Sequence, residues 1–242
     1  MSFGPGALNA SAVWVGTTPA TAVYLGTEKV WPIFVPQQSP WYSPGAAYGA
    51  VGYTGIEVPW PAGAEFCDAI CLGGGAGGTG TGIGGNSQKG GGQGRWYGQT
   101  FPRVSGSLTF DKVYIEVRAS PSNDGAGGGN FNTEAAHGSP TVARPYQGST
   151  VGPFASDTGA SQPMSSNTNN RNGGNVAEFV FNGRTYTMAS YGTNAGRGGA
   201  TSNKNGGDGT RPGGGGQSAD NGGLTGYSGG RGAHGAAILY WY

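Results

Sequence analysis

Few residues in this chain carry types that do chemistry. The thiols are Cys67 and Cys71, the imidazoles His137 and His234, and the carboxylates that might pair as acid and base are Glu57, Glu65, Asp68, Glu116 and Glu134. A carboxylate pair of that kind would serve glycan hydrolysis, but any chain with 12 acids supplies candidates, and a solvated face is the plainer reading. Two cysteines and two histidines match no zinc spacing. If Phe66 to Leu72 is a strand, the cysteine Cα atoms stand about 13 Å apart, too far for a disulfide, so both read as buried free thiols. His234 has no accompanying base or nucleophile signature and reads as structural or solvent-facing.

Gly73-Gly74-Gly75-Ala76-Gly77-Gly78 satisfies a dinucleotide fingerprint letter by letter. The chemistry needs a helix to start there and offer its N-terminus to a pyrophosphate. Thr79-Gly80-Thr81-Gly82-Ile83-Gly84-Gly85 cannot hold one, and no acid lies between Asp68 and Asp111 to take a ribose hydroxyl. There is no Walker loop, nucleophile elbow or His-Glu-x-x-His. The reading is non-enzymatic, without cofactor or metal.

Glycine dominates the elements that must position these groups, at 53 of 242 residues. Holding each in place costs about 0.5–1 kcal/mol more than alanine, so the runs are either disordered or packed by something specific. Six Trp, 12 Tyr and 9 Phe offset this in a chain only 10% charged with a net charge of +1, which excludes the composition of a disordered chain. It also gives no electrostatic footprint for nucleic acid or an anionic membrane. Met1 to Gly6 lack the pattern of a signal peptide and no apolar run spans a bilayer, so synthesis in the cytoplasm without export by the usual route is expected.

Val13-Trp14-Val15-Gly16-Thr17 is echoed by Val23-Tyr24-Leu25-Gly26-Thr27, and Lys29-Val30-Trp31 begins a truncated third copy. This predicts a small β-meander over residues 1–35, with Trp14, Tyr24 and Trp31 available to dock on a partner because three short strands bury little alone. Pro36, Pro40 and Pro44 with Trp41, Tyr42 and Tyr48 mark residues 36–50 as an extended linker. Residues 51–242 form the main domain. Strands are expected at 53–60, 64–72, 108–118, 177–181, 185–190 and 236–242, with Val113, Ile115 and Val117 inward. Glycine blocks at 73–94, 125–129 and 192–235 and a Ser/Asn/Pro-rich stretch at 139–175 lie between them. The fold class is all-β: a sandwich or jelly-roll-like body with long glycine-rich loops clustered at one end.

Val58-Pro59-Trp60-Pro61-Ala62-Gly63-Ala64, the strand entering the run Gly73 to Gly78, and the ending Gly229-Gly230-Arg231-Gly232-Ala233-His234-Gly235 into Ala236 to Trp241 resemble the glycine-rich domain of bacteriophage tail and tail-fibre proteins. The N-terminal repeat resembles β-units of minor tail proteins from phages of actinobacteria. The resemblance implies a virion protein at the distal end of the tail, partnered by other tail-tip proteins, with homotrimeric assembly and contact with a host cell-envelope glycan or glycolipid. Trp96, Tyr97, Tyr146, Tyr191 and Tyr227 are the aromatic candidates for that contact, with core packing as the alternative for each. A tail-borne glycan hydrolase and a purely structural tip component are the rival readings. Some phage adhesins pack glycine runs as polyglycine-II helices, and the blocks here allow that packing. Residues 84–95 and 201–221 depart from a clean lattice by interrupting glycine with Asn, Gln, Lys, Asp and Arg, which leaves complete packing, partial packing and mobile loops all open.

Overall fold

The computed structural model describes residues 34–43, 52–81, 89–119, 138–157, 172–190, 192, 194, 196–199, 205–220 and 226–242, and the strand backbone between 14 and 31. Its regular structure is almost entirely β. Near the N-terminus β1 (Trp14–Val15) pairs with β2 (Thr18–Pro19), and β3 (Val23–Leu25) pairs with β4 (Glu28–Trp31). The ten-residue repeat therefore encodes two hairpins, each joined across a Gly-Thr pair, a spacing typical of two-residue hairpin connections.

The body begins with β5 (Gln37–Gln38), β6 (Gly52–Pro59), β7 (Phe66–Leu72), β8 (Trp96–Pro102), β9 (Val104–Ser105) and β10 (Leu108–Thr109). It continues with β11 (Lys112–Ala119), β12 (Thr141–Gln147), β13 (Thr150–Val151), β14 (Ser156–Asp157), β15 (Phe179–Phe181), β16 (Arg184–Tyr186) and β17 (Ala236–Trp241). The first sheet runs β13-β12-β11-β6 with β14 beside β12, and the second runs β5-β17-β7-β8. All ladders are antiparallel.

The alternation in β11 does what its sequence dictates: Val113, Ile115 and Val117 point into the space between the sheets. There they meet Cys67, Ala69 and Cys71 of β7, Phe101 of β8, and Ala237, Leu239 and Trp241 of β17. β7 is buried on both faces, because the β15–β16 hairpin covers the far side of the second sheet. Ile70, Ile238 and Tyr186 form a second core there, with Trp41, Trp96, Phe179 and Phe181 against it. The hairpin turn is Asn182-Gly183, both at positive φ, as a type I′ turn requires.

Three features differ from the sequence expectation. Residues 37–42, inside the stretch read as a linker, lie along β17: β5 pairs with Tyr240 and Trp241, and Tyr42 bridges Ala237. The expected strand at 185–190 is β16 followed by a single 3-10 turn at Met188–Ser190. β8 and β12 were not expected, because Gly98, Pro102, Arg144 and Pro145 hide them. Pro145 is tolerated where it falls between the residues of β12 that pair with β13 and those that pair with β14, so it displaces no ladder partner on that side.

Strand directions place short turns at one end of the sandwich, the base: 60–65, 103–111 and 148–149. At the other end the chain leaves β7, β11 and β14 and re-enters β8, β12 and β17. The glycine-rich segments are stacked on that end.

These segments form a lattice whose hydrogen bonds repeat every three residues. The N–H groups of Gly73, Ala76 and Thr79 donate to the carbonyls of Arg95, Gly92 and Lys89. Those of Gly75, Gly78 and Thr81 donate to Ala233, Gly230 and Tyr227. Three residues per turn is the repeat of the extended left-handed helix, in which successive peptide groups point to different neighbours. The register is inherited from the sheet, where Leu72 already faces Trp96 on one side and Ala236 on the other.

Segment 213–219 runs through the middle, every residue buried. Among the described residues it hydrogen-bonds to segments 76–79, 91–94, 207–210 and 230–234 and to Gly174 and Gly199. Only glycine permits such approach: a Cβ at Gly75 would fall on the Gly214 carbonyl, and one at Gly216 on that of Gly230. Packing therefore extends into both interrupted stretches, across 89–95 and 206–219.

Candidate functional site

The polar residues that interrupt the glycine satisfy the lattice perimeter. Outer segments carry peptide N–H groups that no neighbouring segment accepts among the described residues, and an unpaired backbone donor is costly. Asn205 Oδ1 accepts from the Ser228 N–H at 3.2 Å, and Asp208 Oδ1 accepts from the Arg231 N–H at 2.6 Å. Both are three residues apart on both strands, and the N–H groups of Gly206 and Gly209 return the bond to the carbonyls of Ser228 and Arg231. Asn175 Oδ1 accepts from Gly198 at 2.8 Å; inside the lattice, Gln217 Oε1 of the buried central segment accepts from Gly207 at 3.0 Å. The signal legible in sequence is an amide or acid every third residue among glycines: Asn172-Gly173-Gly174-Asn175 and Asn205-Gly206-Gly207-Asp208.

The aromatic candidates do not converge on one place. Trp96 is a packing residue: it stacks on Phe179 with centroids 5.6 Å apart and planes 8° apart, touches Trp41 at 6.1 Å, and donates its Nε1–H to the Ala177 carbonyl at 2.8 Å. The hairpin packs against it and leaves it half-buried, so part of its surface is taken up by packing. Tyr97 is exposed on the edge strand β8, with its hydroxyl 3.4 Å from Gln99 Oε1. Tyr227 exchanges two backbone hydrogen bonds with Thr81 at the far end of the lattice. Tyr146 is half-buried on the outer face of the first sheet, edge-to-face with Tyr114 at 5.8 Å. Tyr191 lies outside the described residues. The backbones of Trp14, Tyr24 and Trp31 lie in β1, β3 and β4, and their side chains lie outside the described residues.

Two of the candidate carboxylates are committed to separate cations. Glu57 accepts from Lys112 Nζ at 2.8 Å, and Glu116 pairs with Arg118. Glu65 contributes backbone bonds, donating its N–H to the Tyr242 carbonyl and accepting from the Arg103 N–H. Glu134 and His137 lie outside the described residues. Among the described residues no three His, Cys, Asp or Glu side chains gather as a metal site.

Asp68 is the one carboxylate placed inside among the described residues, at 0% exposure. Its Oδ1 accepts from Thr100 Oγ1 at 2.7 Å, Asn182 Nδ2 at 3.0 Å and the Tyr242 hydroxyl at 3.2 Å, and its Oδ2 from Arg184 at 3.1 Å. The Arg184 guanidinium lies 3.4 Å from the Tyr240 ring centroid. A buried carboxylate is tolerated only when paired and fully hydrogen-bonded, and here the donors come from β8, the β15–β16 hairpin and the C-terminal residue. The cluster therefore pins the third layer to the second sheet. Burial, with Asp68 adding to it, raises the Tyr186 phenol from 10.0 to about 12.

Cys67 and Cys71 form no disulfide and are both buried in the main core, with Ala69 between them on β7. Burial pushes the Cys67 thiol well up, with Asp68 and Cys71 adding to it, which keeps it protonated and inert. His234 is buried, and its carbonyl accepts from the Gly213 N–H at 2.7 Å. The run Gly73 to Gly78 is a lattice segment rather than a helix start. No helix among the described residues is long and apolar enough to cross a membrane.

The arrangement provides a rigid, charge-poor scaffold with separate aromatic surfaces. Comparison of the chain with protein-family models and with curated proteins gives no match.

Proposed function

We propose that this chain is a structural component of a phage tail tip, attached to the particle through its N-terminal hairpins and turning its glycine lattice toward the host surface. The observation that carries the reading is the polarity of the fold. The lattice stacks on one end of the sandwich, and Phe34, which follows the hairpins, packs beside Gly63 at the opposite end. Four exposed large apolar side chains, Val35, Phe66, Val104 and Val151, lie at that same base, where an attachment surface is required. The resemblance to phage tail proteins supports the same assignment, and contact with an envelope glycan or glycolipid follows from it.

Two measurements test this reading. A chain lacking residues 1–33 keeps the body intact, since β5 and Phe34 remain, and fails to enter particles; normal incorporation refutes the docking role. Fluorescently tagged full chain binds actinobacterial cells saturably, and Tyr227→Ala with Lys89→Ala at the far end of the lattice weakens that binding. Equal binding by this variant removes the lattice end from recognition. Deleting 192–233 is a poorer probe, because it takes out segment 213–219 and the lattice with it.

A further inference from the structure

The outer face of the first sheet carries an aromatic surface that the lattice reading leaves unused. Register sets two rows across its strands: Arg144, Tyr114 and Glu57, then Tyr146, Lys112 and Pro59. The two tyrosines sit diagonally and meet edge-to-face, with rings 65° apart. Gly55 explains the pose of Tyr114. A Cβ there would strike the phenol, with Cζ at 2.7 Å and Cε2 at 2.8 Å, so the missing side chain lets the ring lie down over β6. The phenol end of Tyr114 thus leans across the sheet over Gly55 instead of standing off it.

The polar groups around this ring are nearly neutral in sum. Lys112 is paired with Glu57 and Arg118 with Glu116. Arg144 is exposed, sits directly across from Tyr114, and has no side-chain partner among the described residues. One uncommitted fork of donors beside an aromatic face suits a hydroxyl-rich ligand. A polyanion would meet only one uncommitted cation among the described residues of this face, since Lys112 and Arg118 are already paired with Glu57 and Glu116. Strands about 4.8 Å apart and rows separated by a two-residue step of about 6.8 Å give the patch the size of one or two sugar rings. Tyrosine supplies such contact area at low entropic cost, with apolar ring and polar hydroxyl together.

We propose that this face binds an uncharged oligosaccharide, with one sugar ring stacked on Tyr114, flanked by Tyr146 and hydrogen-bonded by Arg144 and Glu57. It lies on the flank of the sandwich, away from the lattice end, and shares with the host-attachment reading only the class of ligand.

The test is an array of neutral linear gluco-, galacto-, manno- and arabino-oligosaccharides probed with the purified full chain. The wild type is retained on at least one of these, and Tyr114→Ala weakens retention tenfold or more. Gly55→Val, which keeps the tyrosine but lifts its ring, does the same. Tyr114→Phe stays within about threefold, and Arg144→Ala loses three- to tenfold. A purely structural role predicts no such pattern among folded variants with matched melting temperatures. No retention of the folded wild type on any member overturns the proposal, as does equal retention of Tyr114→Ala or of Gly55→Val. Retention on the array together with failure to bind cells upholds this site and refutes host attachment. Cell binding unchanged by Tyr114→Ala in a chain that the array does not retain refutes this site alone.

Discussion

Adding one methyl group at Gly215 tests whether the glycine is packed or merely present. Its Cβ would land on the Gly91 carbonyl, 2.7 Å from the carbonyl carbon and 2.9 Å from the Gly174 nitrogen. Making room breaks the bonds that hold this turn: Gly215 N–H to Gly174 at 3.0 Å and Gly199 N–H to Gly215 at 2.8 Å. Each buried bond contributes about 1 kcal/mol, and a group left unsatisfied costs about 1–3 kcal/mol, so losing both bonds with one freed group left without a partner makes Gly215→Ala destabilising by about 3–5 kcal/mol. For a chain of this length that is a fall of about 6–20 °C in melting temperature. Gly192 is the control, with nothing within 4 Å of its Cβ. Gly192→Ala acts only on the unfolded chain and stabilises by about 0.4–1 kcal/mol. The assay is guanidinium unfolding followed by tryptophan fluorescence and by circular dichroism. Loose glycine loops would give the two substitutions the same sign, so a stabilising or neutral Gly215→Ala refutes the lattice.

Other perturbations check the polar pins and caps. Asp68→Ala leaves Arg184 without its partner and costs about 3–5 kcal/mol; the Asp68→Ala, Arg184→Ala pair costs less than the sum of the singles, measured as a double-mutant cycle. The Tyr186 hydroxyl is buried with no hydrogen-bond partner among the described residues, so Tyr186→Phe is neutral or stabilising by up to about 1 kcal/mol at pH 7. The folded phenol ionises near 12 and the unfolded one near 10.0, so the native state holds its proton longer. Stability is therefore intact below pH 10 and falls as pH climbs to about 12. Tyr186→Phe flattens that fall in unfolding curves taken at pH 9, 10 and 11, leaving the smaller share of Tyr42 and Tyr242, whose phenols burial also raises. Asn205→Ala and Asp208→Ala each remove a perimeter cap and cost about 1 kcal/mol. Hydrogen exchange at Ser228 and Arg231 reports the loss directly, and unchanged protection there refutes the capping role.

The all-β class, the inward face of β11 and the strand ending at Trp241 were legible in the residues, because alternation and aromatic richness are local properties. The two-hairpin form of the N-terminal repeat was half legible, its Gly-Thr pairs marking the turns. Among the recognition candidates, Trp96 gains its packing partner only when the β15–β16 hairpin folds against it, and sequence contains no record of that contact. Tyr114 was missed for the converse reason: its pose depends on Gly55, which lies across the sheet on another strand. The same holds for Asp68, an ordinary acid in the sequence that becomes a buried hub only when Thr100, Asn182, Arg184 and Tyr242 arrive from elsewhere.

Composition by itself determined that glycine must be either packed or loose, since ordering so many costs too much without specific compensation. Only the tertiary structure decided between them. A three-residue helix without side chains has no internal hydrogen bonds, so its order comes entirely from neighbours, and those neighbours are distant in sequence. The sheet supplies the starting register, the central segment 213–219 supplies the axis, and the asparagine and aspartate that looked like interruptions close the outer edge.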